Sequence, residues 1–218
     1  MSLDGYREAL QAALMSTESP IDRTFNSDRL VIFTDGVMAV AITVLVLDLK
    51  IPEGLGPDAF HEALGRLWQG FLCYALSFVV IGVLWIAHHS QFAHIRRANP
   101  LLLWLNLLFL MAVALIPFVT SLLSDYGGAL PTALYALVLM ASSLLLAAEW
   151  WYASRNSTLM AEDVPVELRR TGVLTPLLVA AVFAVSIGVA YLAGPAAAQW
   201  SWLLAAAAGP VADRISRA

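Results

Sequence analysis

Six apolar stretches, each close to the length of a membrane span, follow one another along the chain. They cover residues 30–49, 67–87, 101–123, 130–152, 173–193 and 196–212. About 20 apolar residues suffice for a helix to cross the hydrocarbon core of a bilayer. The stretches do not alternate between apolar and polar positions as barrel strands do, so helices are the remaining way to satisfy the backbone in lipid. The pattern predicts an all-α integral membrane protein with six transmembrane helices per subunit.

Composition strengthens this prediction and limits what else the chain can contain. Of its 218 residues, 60% are hydrophobic and 13% are charged, whereas a soluble domain has about half and about a quarter. We therefore expect a cytoplasmic leader over residues 1–28, a six-span membrane domain over 29–213 and a cytoplasmic tail over 214–218. No nucleotide-binding loop, nucleophile elbow or His-Glu metal motif is present. The expectation is a protein that is not an enzyme, with no cofactor, no metal site and no nucleic-acid partner.

The basic residues predict the orientation, because cytoplasmic loops of membrane proteins carry an excess of Arg and Lys. With a cytoplasmic N-terminus and six crossings, only Lys50 and Arg66 lie outside. The other ten basic residues lie inside: Arg7, Arg23, Arg29, Arg96, Arg97, Arg155, Arg169, Arg170, Arg214 and Arg217. Arginine in both terminal segments favours an even number of spans, so both termini are expected to be cytoplasmic.

The first span carries an acidic side chain at a depth where lipid disfavours charge. Asp35 lies about 9 Å along the helix from Arg29, and insertion of such a carboxylate costs about 2.5–3.5 kcal/mol at the centre of a membrane helix. His88 and His89 at the end of the second span, and Asn106 in the third, lie toward the same side. A network of these polar residues around Asp35 is geometrically plausible. It can serve as a buried anchor between helices, as part of an ion path, or as both.

Further along the first span, Val40, Val44 and Leu47 share one helical face, and Thr43 flanks them. On an ordinary helix such a stripe packs against neighbours. Periodicity alone does not decide whether water or ions pass along it.

The segment from Arg29 to Asp35, read as R-x-x-x-F-T-D with Phe33 and Thr34, resembles the R-x-x-x-F-S-D signature of the transmembrane protein 175 family of potassium channels. Thr34 replaces the usual serine and keeps the hydroxyl. Two more segments extend the resemblance: Trp85-Ile86-Ala87-His88 is similar to the family's W-x-x-H, and Asn106, Met111 and Pro117-Phe118 are similar to its third span. The likeness covers about residues 29–123 and is only topological beyond them.

This resemblance implies a homotetramer in which the first spans of four single-repeat subunits surround a pore. Apolar rings at Val40, Val44 and Leu47 would form the gate and filter, with no carbonyl selectivity loop, and Val40 would be the narrowest. Thr43 would offer hydroxyl oxygens to the cation, and Asp48 would attract cations to the outer mouth. The expected function is a potassium-permeable channel in a bacterial plasma membrane, with the lipid bilayer and monovalent cations as its partners.

Three alternatives stay open at this point. Protons can permeate the same pore. A secondary transporter would usually show internal repeats and broken midplane helices, and neither is evident in the sequence. A haem or redox protein needs facing histidines, but His88, His89 and His94 lie at one end of one span and His61 lies on the opposite side.

Overall fold

The computed structural model describes residues 24–51 and 56–217, and almost all of them are helical. The helices described are α1 Asp28–Val44, α2 Pro57–Phe92, α3 Pro100–Ala114, α4 Ile116–Tyr126, α5 Ala129–Arg155, α6 Val166–Leu192, α7 Pro195–Ser201 and α8 Ala208–Arg217. A 3-10 turn, Leu45–Asp48, extends α1, and another, Trp202–Ala207, joins α7 to α8. The prediction of an all-α membrane protein is confirmed. Of the predicted leader, residues 1–23 lie outside the described residues.

Five segments of the described chain are long and apolar enough to cross a membrane. They are Asp28–Asp48, Ala63–Phe92, Pro100–Tyr126, Ala129–Arg155 and Val166–Leu192. These segments correspond to the first five predicted spans. The second helix is longer than its apolar stretch, because α2 already begins at Pro57.

The third span consists of two helices placed end to end. The side chain of Asn99 caps α3 by accepting a hydrogen bond from the backbone of Leu102, with 3.0 Å between N and Oδ1. Pro117 has no N–H to donate to the carbonyl of Val113, and the helical ladder is interrupted there. As a result α3 ends at Ala114 and α4 begins at Ile116.

The sixth apolar stretch folds as the broken segment from α7 to α8, and it is not among the five long spans. It packs antiparallel along α6. Near its middle, Trp202 Nε1 donates a hydrogen bond to Ser186 Oγ at 3.0 Å. At its end, Thr171 Oγ1 donates to Ser216 Oγ at 2.9 Å. Because Thr171 lies in the second turn of α6, the segment returns along most of the length of that helix.

The core joins α5 to α6 and α3, while α1 packs against α2 and α3. One face of α1 is buried in the interior of the subunit. The buried positions of this helix and its 3-10 extension are Leu30, Thr34, Met38, Ala41 and Leu45. They recur every three or four residues, the spacing of a helix with one buried face.

Near the start of α1, short extended segments connect the ends of several helices through hydrogen bonds. The two-residue strand β1, Phe25–Asn26, pairs antiparallel with β2, Arg97–Ala98. Ser27 Oγ donates to the carbonyl of Ile95 at 2.6 Å. The backbone of Ala161, in the connector between α5 and α6, donates to the carbonyl of His94 at 2.9 Å. The apolar pattern did not predict these strands, because they lie in short polar loops.

Candidate pore helix and its polar cluster

The three residues predicted to form apolar rings all lie on the exposed side of α1. Val40 is 61% exposed in the single subunit, Val44 is 39% exposed and Leu47 is 62% exposed. Phe33, toward the start of the helix, is also exposed. The opposite side of the helix is buried against α2 and α3, so these side chains point away from their own subunit.

The polar residues that flank this stripe are exposed as well. Thr43 Oγ1 donates back to its own helix, at 2.9 Å from the carbonyl oxygen of Val40 and 3.0 Å from that of Ala39. Its only hydrogen is therefore directed at the backbone, and the oxygen lone pairs remain available to another partner. Asp48 is exposed in the 3-10 turn at the end of the span.

Gly36 lies on the same exposed side of α1. A Cβ built there meets no other atom within 4 Å. Glycine inside a helix costs about 0.5–1 kcal/mol relative to alanine, and nothing within the described subunit requires it. An apolar hollow of about 530 Å³ extends from Phe33 and Gly36 past Val40 and Val44 to Pro117 on α4.

A hydrogen-bonded chain of buried side chains lies behind α1. Asn106 Nδ2 donates to Thr34 Oγ1 at 2.9 Å. His88 Nε2 lies 3.0 Å from Asn106 Oδ1, and because an amide oxygen only accepts, Nε2 carries the hydrogen of this bond. All three side chains are almost fully buried. The structure thus brings together His88 and Asn106 of the predicted network by a direct hydrogen bond, and Asn106 joins them to Thr34.

Asp35 makes a separate contact. Trp85 Nε1 donates to Asp35 Oδ1 at 2.8 Å, which links α1 directly to α2. His89 is exposed and its ring lies against Trp85, with 5.6 Å between the ring centroids. Arg29 is exposed at the first turn of α1. Of the polar residues expected around Asp35, the structure therefore places His88 and Asn106 in one group, and Asp35 with Trp85 in another.

A buried acid in α5 was not predicted from the sequence. Glu149 is fully buried, and its Oε2 lies 3.9 Å from His88 Nε2. Neither carboxyl oxygen has a hydrogen-bond partner among the described residues. A signal was present, since Glu149 is the only acidic residue in the apolar stretch 130–152. Its partner was not predictable, because α2 and α5 are far apart in sequence.

Aromatic rings enclose the imidazole of His88. The ring of Phe92 stacks on it with 4.1 Å between centroids, and that of Phe109 with 5.5 Å. These rings hold the imidazole plane fixed, which aims Nε2 at Asn106 and Glu149. Within the described ranges, no three His, Cys, Asp or Glu side chains are grouped to hold a metal ion.

Comparison with known proteins gives concordant results. The family described as endosomal/lysosomal potassium channel TMEM175 matches residues 29–117. A potassium channel of Streptomyces collinus is 36% identical over 174 residues, which covers 78% of this chain and 84% of the relative. The endosomal/lysosomal proton channel TMEM175 of Gallus gallus is 32% identical over 134 residues, 56% of this chain and 26% of that protein.

The fold is similar to a solved structure as well. The crystal structure of a lysosomal potassium-selective channel TMEM175 homolog from Chamaesiphon minutus superposes with a TM-score of 0.60 at 27% sequence identity. The match covers 82% of this chain and 97% of that one.

Proposed function

Because the chain belongs to the TMEM175 family of potassium channels, we propose that four copies form a potassium-permeable pore lined by α1. The observation that carries this proposal is the exposed apolar stripe of Val40, Val44 and Leu47. It lies opposite the buried face of α1, on a helix that carries the family motif. In a tetramer the same stripe from each subunit faces a common axis.

Stoichiometry follows from the number of motif-bearing helices. One chain contributes one such helix, and one helix cannot enclose a pore. Closed rings of identical subunits are the usual way to build a symmetric assembly. The exposed Gly36 supports close approach of a neighbouring subunit at this level, because nothing within the subunit itself occupies the space over it.

The apolar rings control conduction by excluding or admitting water. A narrow ring of methyl groups excludes water, and ions with it, whereas a small widening admits both. Val40 lies near the middle of the span and forms the narrowest layer. Thr43, whose hydrogen is held by its own backbone, presents an oxygen to a partly dehydrated cation. Four copies of Asp48 at the mouth raise the local concentration of cations.

The polar contacts behind α1 hold this helix in place. Thr34 and Asp35 bind α3 and α2 respectively. The bond between Thr34 and Asn106 is buried, so breaking it is costly because the partner is left unpaired. The role of both contacts is to fix the rotation and depth of the pore helix.

The antiparallel segment from α7 to α8 supports six crossings with both termini cytoplasmic. Its end, at Ser216, lies beside Thr171 in the second turn of α6. This end of the bundle is also where α1 begins, where the arginines concentrate. The localisation proposed is the plasma membrane of a bacterium.

Proton permeation through the same pore is a second candidate. The observation in its favour is the sequence similarity between this chain and animal relatives that are named as proton channels. A proton pathway and a potassium pathway along α1 share every feature described above except the permeant ion.

Reconstitution into liposomes tests the proposal. Purified protein in vesicles with an outward potassium gradient should dissipate that gradient, with slower dissipation of a sodium gradient. A proton gradient imposed alone measures the second candidate. Absence of potassium flux from vesicles that demonstrably contain assembled protein would contradict the proposal.

A further inference from the structure

Glu149 is an acid inside a membrane span, a position that proteins rarely use without a functional reason. Its side chain is fully buried, and both carboxyl oxygens are without a hydrogen bond in the described structure. A structural anchor would be expected to have its oxygens satisfied by donors. Both oxygens of this carboxyl group are therefore available to bind a proton.

The one ion-pair neighbour that the described residues give Glu149 is His88. The distance of 3.9 Å from Nε2 to Oε2 is too long for a hydrogen bond, and the other ring nitrogen, Nδ1, has no partner. The Nε2 hydrogen points to Asn106 instead. Carboxyl and imidazole together thus offer three vacant positions, two on Glu149 and one on His88, at which a proton can reside.

We propose that Glu149 and His88 form a proton-binding site within the subunit, connected to the pore helix through Asn106 and Thr34. The ligand is the proton itself, taken up from water onto the Glu149 carboxylate or His88 Nδ1 and returned to water on release. This inference rests on the proposed function only in its link to conduction.

A hollow is lined by chain neighbours of the pair, although neither His88 nor Glu149 lines it. It measures about 230 Å³ and lies between α2, α5 and α6, with Gln91, Ser143 and Thr171 among the polar groups lining it. Ala87 and Trp150, which also line it, adjoin His88 and Glu149 in the chain. The buried Gln91 Oε1 lacks a partner within the described protein. Its volume is enough for several water molecules at about 30 Å³ each, although most of its lining is apolar.

The link to the pore is a continuous row of side chains, one from each of four helices: Glu149 on α5, His88 on α2, Asn106 on α3 and Thr34 on α1. An ionised Glu149 competes with Asn106 for the Nε2 hydrogen of His88. A protonated Glu149 does not compete, and Asn106 keeps its bond. Proton uptake thus changes the bond that steadies Asn106 against Thr34.

Two other titratable groups interact with His88 from its surroundings. Asp35 on α1 and His89 on α2 lie close enough to interact electrostatically with His88. On α6, Arg169 directs Nη1 to the carbonyl of Ser154 at 3.3 Å, and α3 contributes the neutral Asn106. An experiment on proton binding must therefore isolate the contribution of Glu149.

Infrared difference spectroscopy on reconstituted protein measures the protonation of Glu149 separately from that of the other groups. A pH step on wild-type vesicles should change the carbonyl stretch of a protonated, water-poor carboxylic acid. Glu149→Gln, which keeps the shape, should abolish this band. Glu167→Gln, at an exposed position of α6, should retain it. A band that persists in Glu149→Gln would overturn the site.

Potassium flux against pH tests the link to α1 in the same vesicles. Wild-type flux should change several-fold between mildly acidic and mildly basic buffer, and Glu149→Gln should flatten that dependence. Superimposable profiles would overturn the link. If Glu149→Gln does not assemble, Glu149→Asp withdraws the carboxyl from His88 and should shift the pH of the change; an unshifted profile overturns the link equally. Wild-type vesicles without flux would contradict the proposed channel function, while the infrared band still decides the proton site.

Discussion

Asn106 on α3 donates a hydrogen bond to the buried hydroxyl of Thr34 on α1, with 2.9 Å between Nδ2 and Oγ1. The bond joins two membrane spans that are 72 residues apart. Because the helical turn relates the directions of all side chains on α1, an inward-facing Thr34 also determines which residues face outward. Val40 and Val44 owe their exposure to this rotation of α1.

Thr34→Val should destabilise the subunit without changing its shape. The substitution removes the hydroxyl and leaves Asn106 Nδ2 unpaired, which costs about 1–3 kcal/mol for a buried donor. The melting temperature of purified protein in detergent should fall. Thr43→Val is the matched control, because its hydroxyl bonds only its own helix. An equal fall in melting temperature in the two variants would mean that the bond to Asn106 contributes no more stability than the intrahelical bond of Thr43.

Asp35 and Trp85 should be energetically coupled. Asp35→Ala and Trp85→Phe each remove one partner of the 2.8 Å bond, and hydrogen bonds to charged groups contribute about 1.5–3 kcal/mol. In a double-mutant cycle of unfolding free energies, the double variant should lose less than the sum of the single losses. Size-exclusion chromatography should show a reduced tetramer fraction for Asp35→Ala. Additive losses with normal assembly would show that Asp35 is merely tolerated in the span.

The apolar pattern predicted the order and approximate positions of the first five spans, because span length is fixed by bilayer thickness. The sixth predicted span is instead the broken segment from α7 to α8. The pattern could not predict the end-to-end break at Pro117 or the two-residue strands, since both depend on local backbone hydrogen bonds. At the site, the helical period predicted that Val40, Val44 and Leu47 share a face. The pairing of Glu149 with His88 depends on tertiary packing of α5 against α2 and α3, which no local pattern encodes.

Gly36→Leu should block assembly while leaving the isolated subunit folded. The subunit has empty space around Gly36, so the added side chain causes no clash until a neighbouring copy approaches. Cross-linking or light scattering in detergent should show loss of the tetramer with retained helical circular dichroism. Gly188→Leu is the control, because Gly188 is likewise exposed and uncrowded but lies on α6. A full tetramer yield from Gly36→Leu would place the subunit interface elsewhere.

A reporter fused after Ala218 should be active only in the cytoplasm. The reason is that the segment from α7 to α8 returns along α6 to the arginine-rich end of the bundle. Truncation after Leu192, which removes this segment, should move the same reporter to the outside. An external reporter on the full chain would mean five crossings.

Val40→Thr tests the central claim, that α1 lines the pore as an apolar gate. Threonine has nearly the volume of valine but adds a hydroxyl, so it lets water occupy a narrow ring with little change in its radius. Basal potassium flux into liposomes should rise several-fold, and the preference for potassium over sodium should weaken.

Val185→Thr is the matched control for that measurement. Val185 is 66% exposed, similar to Val40, but lies on α6. Liposome flux should be raised by Val40→Thr and unchanged by Val185→Thr, at equal amounts of reconstituted tetramer. Equal flux in both variants, whether raised or unaltered, would contradict the account, because the pore would then be lined by a helix other than α1.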